Sequence, residues 1–182
     1  MNFAAKIFAA SLLAAAPLTA LAQAPAAAPA APMAPPVVAN PSYATLVLEI
    51  AVNKPAAEVW AKVGKYCDIE AWSGMTCVIT SGKAGDLGSV RTLNGNNIEM
   101  LVGKTDLSYT YVQPVRQGVP YNAYHGTMEA KPVTATTSKI VYSFFWDESL
   151  LADDAARAAA KASRATRFNG FMQKMKAIAE AN

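Results

Sequence analysis

Arg91 and Glu99 are the two residues of this 182-residue sequence whose types and spacing most invite chemistry. They lie in "GSVRTLNGNNIEMLVG", from Gly88 to Gly103, where Asn-Gly between two runs of strand formers is a strong hairpin signal. A turn centred on Gly95 sets Leu93 opposite Asn97 and Arg91 opposite Glu99. Two readings stay open. If Arg91, Leu93, Glu99 and Leu101 face inward, the two charges form an ion pair on the floor of a cavity. A carboxylate or enolate could then recruit Arg91 and leave Glu99 as a proton acceptor. If Ile98, Met100 and Val102 face inward, the pair is an exposed cross-strand contact worth under about 1 kcal/mol. Both faces carry apolar residues, so alternation alone does not choose.

Other chemistry-bearing residues cluster by alternation. Ile140, Tyr142, Phe144 and Trp146 share one face of a strand, and their continuous bulk predicts that they face a helix. Tyr124, Gly126 and Met128 take the same side of the preceding strand, which puts His125, Thr127 and Glu129 outside. His125, the single histidine, is therefore badly placed to act as a base on a buried substrate. Tyr109, Tyr111, Tyr124 and Tyr142, with Trp146 and with Trp72 near a helix–loop boundary, either pack a core or wall a pocket with a few oriented hydroxyls. Two cysteines and one distant histidine do not make a metal-ligand set. The run Gly82 to Gly88, "GKAGDLG", lacks the Gly-Lys-Ser/Thr ending of a phosphate loop and reads as a turn or a mobile gate. With no nucleophile elbow and no dinucleotide fingerprint, no cofactor is expected.

The elements that must position these residues read as follows. "TLVLEIAV" (Thr45 to Val52) is a strand. "NKPAAEVWAKVGKY" opens a helix that Asn53 can cap, with Pro55 in the first turn and Val59 and Val63 on one face beside Trp60. A short helix follows near "CDIEAWSGM". Then come about six consecutive strands and a long helical run from about Ser149 to Ala181. Strands joined by short turns imply an antiparallel sheet, and segregated helices imply an α+β domain. Phe168, Phe171, Met172, Met175, Ile178 and Ala179 recur at three- and four-residue steps and form a face to bury. Arg157, Lys161 and Arg164 project onto that same face. Either the helix bends between Ser163 and Gly170, leaving the basic stripe in water, or the stripe overhangs the mouth of the cavity as a rim for an anionic amphiphile.

Three segments organise the chain. Residues 1–22 combine a basic start, an apolar core and an Ala-Leu-Ala cleavage site, the pattern of a secretory signal peptide. Residues 23–42 are Ala/Pro-rich and suit a semi-rigid tether. Residues 43–182 form one domain of ordinary size. The expected compartment is a bacterial periplasm. No later run reaches the roughly eighteen apolar residues of a spanning helix. The 16 basic and 13 acidic side chains are too evenly balanced for a nucleic-acid binder. In an oxidising compartment a disulfide between Cys67 and Cys77 is the leading reading, with two buried thiols as the alternative.

The succession Gly88, Val90, Arg91, then Ile98, Glu99, Leu101, then Tyr109, Tyr111, then Pro120, Tyr124 and Trp146 resembles the polyketide cyclase/dehydrase branch of the START-like (SRPBCC, Bet v 1-like) superfamily. The resemblance covers roughly Thr45 to Ala181. It implies a helix-grip fold, a curved antiparallel β-sheet wrapped around a long C-terminal helix with an internal apolar cavity. It favours the inward placement of Arg91 and Glu99. Arg91, Glu99, Tyr109, Tyr111, Tyr124, Trp146 and Trp72 then become the expected ligand-binding residues. A superfamily that holds enzymes, lipid carriers and receptors leaves function open. The leading expectation is an exported binding protein for a small hydrophobic or amphipathic ligand: a lipid, a polyketide or an aromatic acid. The alternatives are a cyclase- or dehydratase-like enzyme using Glu99 and Arg91, or an accessory protein of a periplasmic oxidoreductase that binds a protein partner.

Overall fold

The protein is described by a computed structural model over residues 40–114 and 118–181. The expected signal peptide, and all but the end of the expected linker, lie outside the described residues. Along the chain run β1 (Tyr43–Val52), α1 (Ala56–Val63), α2 (Glu70–Ser73), β2 (Cys77–Ser81), β3 (Val90–Leu93), β4 (Asn97–Thr105), β5 (Ser108–Val112), β6 (Asn122–Pro132), β7 (Ser138–Asp147) and α3 (Asp154–Glu180). The strands make one seven-stranded sheet in the order β1-β7-β6-β5-β4-β3-β2. Every neighbouring pair is antiparallel. Strands β2 to β7 follow one another as a meander, and β1 closes the row beside β7.

Local chemistry explains the turns and the curvature. At the β3–β4 hairpin Asn94 and Gly95 both take positive φ (47° and 75°), and Asn96 N–H donates to the Leu93 carbonyl at 3.2 Å. That is the type I′ geometry which Asn-Gly supplies with least strain. It sets Arg91 opposite Glu99 and Leu93 opposite Asn97. Register shifts at Ile79/Ser81, Leu101/Gly103 and Asn122/His125 bend the strands, as an extra residue on one strand does. The apolar sides of β5, β6 and β7 converge on the concave face, where Tyr111, Met128, Ile140, Tyr142 and Trp146 are buried.

Helix α3 covers that face and runs unbroken from Asp154 to Glu180, so the helix does not break between Ser163 and Gly170. It starts at Asp154 rather than near Ser149. Asp153 is the N-cap, its carboxylate accepting from Ala156 N–H at 2.8 Å. Ser149 is held instead by Asp147, through backbone and hydroxyl at 3.0 Å each. Met172, Met175 and Ala179 are buried, each large side chain of this kind contributing about 1.5–3 kcal/mol. The far end of α3 is tied by polar contacts to the β1–α1 connection. Lys176 Nζ donates to the Ala51 carbonyl and to Glu180, both at 2.7 Å, and Glu180 accepts from Asn53 N–H at 2.7 Å. Lys62 Nζ donates to the carbonyls of Ala179 and Ala181. Asn53 is thus a strut to α3, not the cap of α1. Pro55 occupies the cap position of α1, and no side chain caps that helix.

Cys67 and Cys77 are joined by a disulfide with Cα atoms 5.5 Å apart. It fastens the loop after α1 to edge strand β2.

Candidate functional site

The floor of the site is the hairpin pair. Arg91 is 1% and Glu99 3% exposed, whereas Ile98, Met100 and Val102 are 39%, 41% and 45% exposed on the opposite face. The charges therefore point inward. Glu99 Oε2 accepts from Arg91 Nε at 2.8 Å and Nη2 at 2.6 Å. Its Oε1 accepts from Asn97 Nδ2 at 3.2 Å and Gln113 Nε2 at 3.0 Å. Gln113 in turn accepts from the Tyr121 hydroxyl at 2.9 Å. Arg91 Nη1 donates to the Tyr66 carbonyl, and the Tyr66 hydroxyl donates to the Glu99 carbonyl at 3.1 Å. The guanidinium lies 4.2 Å from the Tyr66 ring centroid and 5.0 Å from that of Tyr111. A buried ion pair is tolerable only with such complete partnering. Four donors on two carboxylate oxygens also fill the lone pairs that a proton-abstracting base would need vacant.

Above this floor, aromatic rings form the wall. Tyr111, Tyr124, Tyr142, Trp146, Phe168 and Trp72 line a cavity of about 440 Å³, which reaches Arg91 and Glu99 at its base. Tyr111 and Tyr142 hydroxyls meet at 3.3 Å. Tyr142 stacks on Phe144 with centroids 4.7 Å apart. Tyr111 is held over Gly126, where an added Cβ would fall 2.4 Å from the ring. Burial pushes the hydroxyls of Tyr111, Tyr124 and Tyr142 above the ordinary tyrosine value. They are neutral hydrogen-bonding groups at pH 7, not nucleophiles.

At the mouth stands α3. The Arg164 guanidinium lies 4.2 Å from the Trp146 ring centroid, 5.3 Å from Tyr124 and 5.4 Å from Tyr121. Of the basic stripe, Arg164 overhangs the cavity, Arg157 pairs with Asp154 at 2.7 Å, and Lys161 is exposed.

The structure gathers Arg91, Glu99, Tyr111, Tyr124, Trp146 and Trp72 around one cavity and leaves Tyr109 outside it. Tyr109 is buried below Arg91 and donates to Met128 Sδ at 3.9 Å. With Tyr66 and Leu101 it separates the cavity from a wider recess of about 910 Å³ between α1 and the β4–β5 hairpin. That recess has a balanced rim of Lys65, Asp68, Lys104 and Asp106. The bulge at Leu101/Gly103 lies between the positions paired with Tyr111 and Tyr109, and of these two tyrosines on one strand face Tyr111 lines the cavity while Tyr109 forms part of the partition. His125 lies on the outer face with its ring 2.7 Å from the Ala123 carbonyl. The Gly82–Gly88 segment is a turn, held by Lys104 Nζ donating to the Gly85 carbonyl at 2.7 Å. Among the described residues no group of three or more His, Cys, Asp or Glu could hold a metal. Gln113, Tyr66, Asn97 and Tyr121 belong to the site without a local sequence signal. Arg164 had one, its four-residue spacing from Phe168.

A curved antiparallel sheet gripping one long C-terminal helix over an aromatic cavity is a helix-grip, Bet v 1-like fold. Solved structures agree. A protein from Nitrosospira multiformis is 21% identical, with TM-score 0.58 over 72% of this chain and 96% of that one. One half of the di-domain aromatase/cyclase BexL matches at 17% identity and TM-score 0.61, over 75% of this chain and 46% of that one. The structure of Ara h 8.0201 matches at 13% identity and TM-score 0.55, over 78% of this chain and 100% of that one. At these identities the likeness is one of fold. No protein-family model matches the sequence, and no curated protein does.

Proposed function

We propose that the protein is exported, to a bacterial periplasm, and there binds a small hydrophobic or amphipathic ligand between the sheet and α3. One observation carries the reading: a cavity of about 440 Å³ walled by aromatic rings, with the charges on its floor, Arg91 and Glu99, paired to each other. Apolar walls with a few fixed polar groups are the usual make-up of a small-molecule site. Export rests on the signal-like residues 1–22 and fits the Cys67–Cys77 disulfide.

The test is native mass spectrometry of the mature protein purified from its own host, set against its denatured mass. A reproducible excess released on denaturation is the expected result, and its mass gives the chemical class of the ligand. A clean unloaded mass, together with a stable partner in pull-downs, would replace this reading with that of an accessory protein. The cyclase-like alternative draws on the fold of the aromatase/cyclase neighbours. It requires Glu99 to release Asn97 or Gln113 before taking a proton.

A further inference from the structure

Resting on the cavity reading above, we infer that the ligand is a small aromatic acid whose carboxylate is held at the mouth by Arg164, not at the floor by Arg91. The charges around the cavity divide in two. On the floor Arg91 and Glu99 cancel, and the strongest acceptor near Arg91 is already in place at 2.6 Å. At the mouth Arg164 and Arg167 both line the opening, and neither is paired with a carboxylate among the described residues. Among the described residues the cavity therefore carries unpaired positive charge at its α3 end.

Arg164 is the sharper of the two. Its Nη1 is shut off from solvent and has no hydrogen-bond partner. Taking a guanidinium N–H out of water unpaired is costly. The rings of Trp146, Tyr124 and Tyr121 offset part of that cost through cation–π contact and fix the planar fork in place. They leave the N–H edge for an anionic oxygen, the acceptor that a guanidinium binds most strongly. Trp72 Nε1 is likewise buried without a partner and lines the same cavity, a second donor in want of an acceptor. The body of the ligand follows from the walls. Phe168 and Tyr142 line the cavity with ring centroids 4.9 Å apart, a surface that favours stacked or edge-on rings. A volume of about 440 Å³ is near the lower end of small-molecule sites and suits a compact guest.

Two fluorescent probes with the same aromatic body test this: 8-anilinonaphthalene-1-sulfonate, an anion, and N-phenyl-1-naphthylamine, which is uncharged. Wild-type protein is expected to bind the sulfonate at least about tenfold more tightly than the neutral probe, the scale of one charge-assisted contact. Arg164→Gln should remove that preference, read as the ratio of the two affinities. Arg164→Lys should retain part of it. Ala160→Trp, which fills the mouth, should abolish binding of both. Equal affinity for the two probes in the wild type, or a sulfonate preference that survives Arg164→Gln, overturns the assignment while the cavity reading stands. Failure of both probes to bind overturns the cavity reading and this inference with it.

Discussion

Arg91 and Glu99 show how far two residues can be interpreted from their neighbours in sequence. Their opposition across the hairpin follows from Asn-Gly turn chemistry, which is local. Their direction does not, because Leu93 and Leu101 on one face and Ile98, Met100 and Val102 on the other are equally apolar. The choice is made at long range, where Tyr66 and Gln113 bring the carbonyl and amide that satisfy the pair. Nothing near Gln113 in the sequence announces that role. This closure makes a sharp prediction for urea unfolding. Arg91→Met, or Glu99→Leu, leaves one side of a buried ion pair without its counter-charge and should cost about 3–5 kcal/mol. Arg91→Met combined with Glu99→Leu should cost less than either single change. If the double variant instead loses the sum of the two, the charges contribute independently and the pair is not the unit described here.

Among the elements, β7 and the β3–β4 hairpin were the most legible, since two-residue alternation and turn residues carry their own register. Strand β5 was legible only in part. Its alternation puts Tyr109 and Tyr111 on one face correctly, but does not show that Tyr109 lies in the partition rather than on the cavity wall, because a bulge on the neighbouring strand is invisible from β5 itself. The loop between α1 and α2 depends on the Cys67–Cys77 bridge in the same indirect way. Cys67 follows Tyr66, whose carbonyl accepts from Arg91, so the disulfide braces the floor of the cavity as well as the edge of the sheet. Its loop is short, and cross-linking it should stabilise the fold by about 2–3 kcal/mol. Cys67→Ser/Cys77→Ser should lower the unfolding free energy by that amount, moving the urea midpoint down, with a slope equal to or slightly above that of the wild type because the unlinked unfolded chain exposes more surface. A reductant should shift the wild type towards the variant and leave the variant unmoved.

At the scale of the whole domain, the approach to β1 is fastened to the exit from β7. Asp147, at the end of β7, accepts from Ser42 N–H at 2.9 Å just before β1, and from Ser149 on the way to α3. Burial raises its carboxyl, but these hydrogen bonds outweigh it and hold the group below the ordinary aspartate value of about 3.9. The unfolded chain therefore binds this proton at a higher pH than the folded one. The stabilisation from Asp147 is complete above the unfolded value and is lost as pH falls through the folded value. The stability difference between wild type and Asp147→Asn should be constant from about pH 5 to 7 and shrink below about pH 4. A difference that persists to pH 2 would assign the effect of the substitution to packing. The polar ties of α3 have a consequence of another kind. Lys62, Lys176 and Glu180 fasten its last turns, while in its first half Arg164 lies against the rings of Trp146, Tyr124 and Tyr121. A tilt of the helix about its polar anchor would change the space between Arg164 and the sheet. The size of guest this protein can admit is accordingly a property of that angle, adjustable at the β1–α1 corner by residues that never touch what is bound.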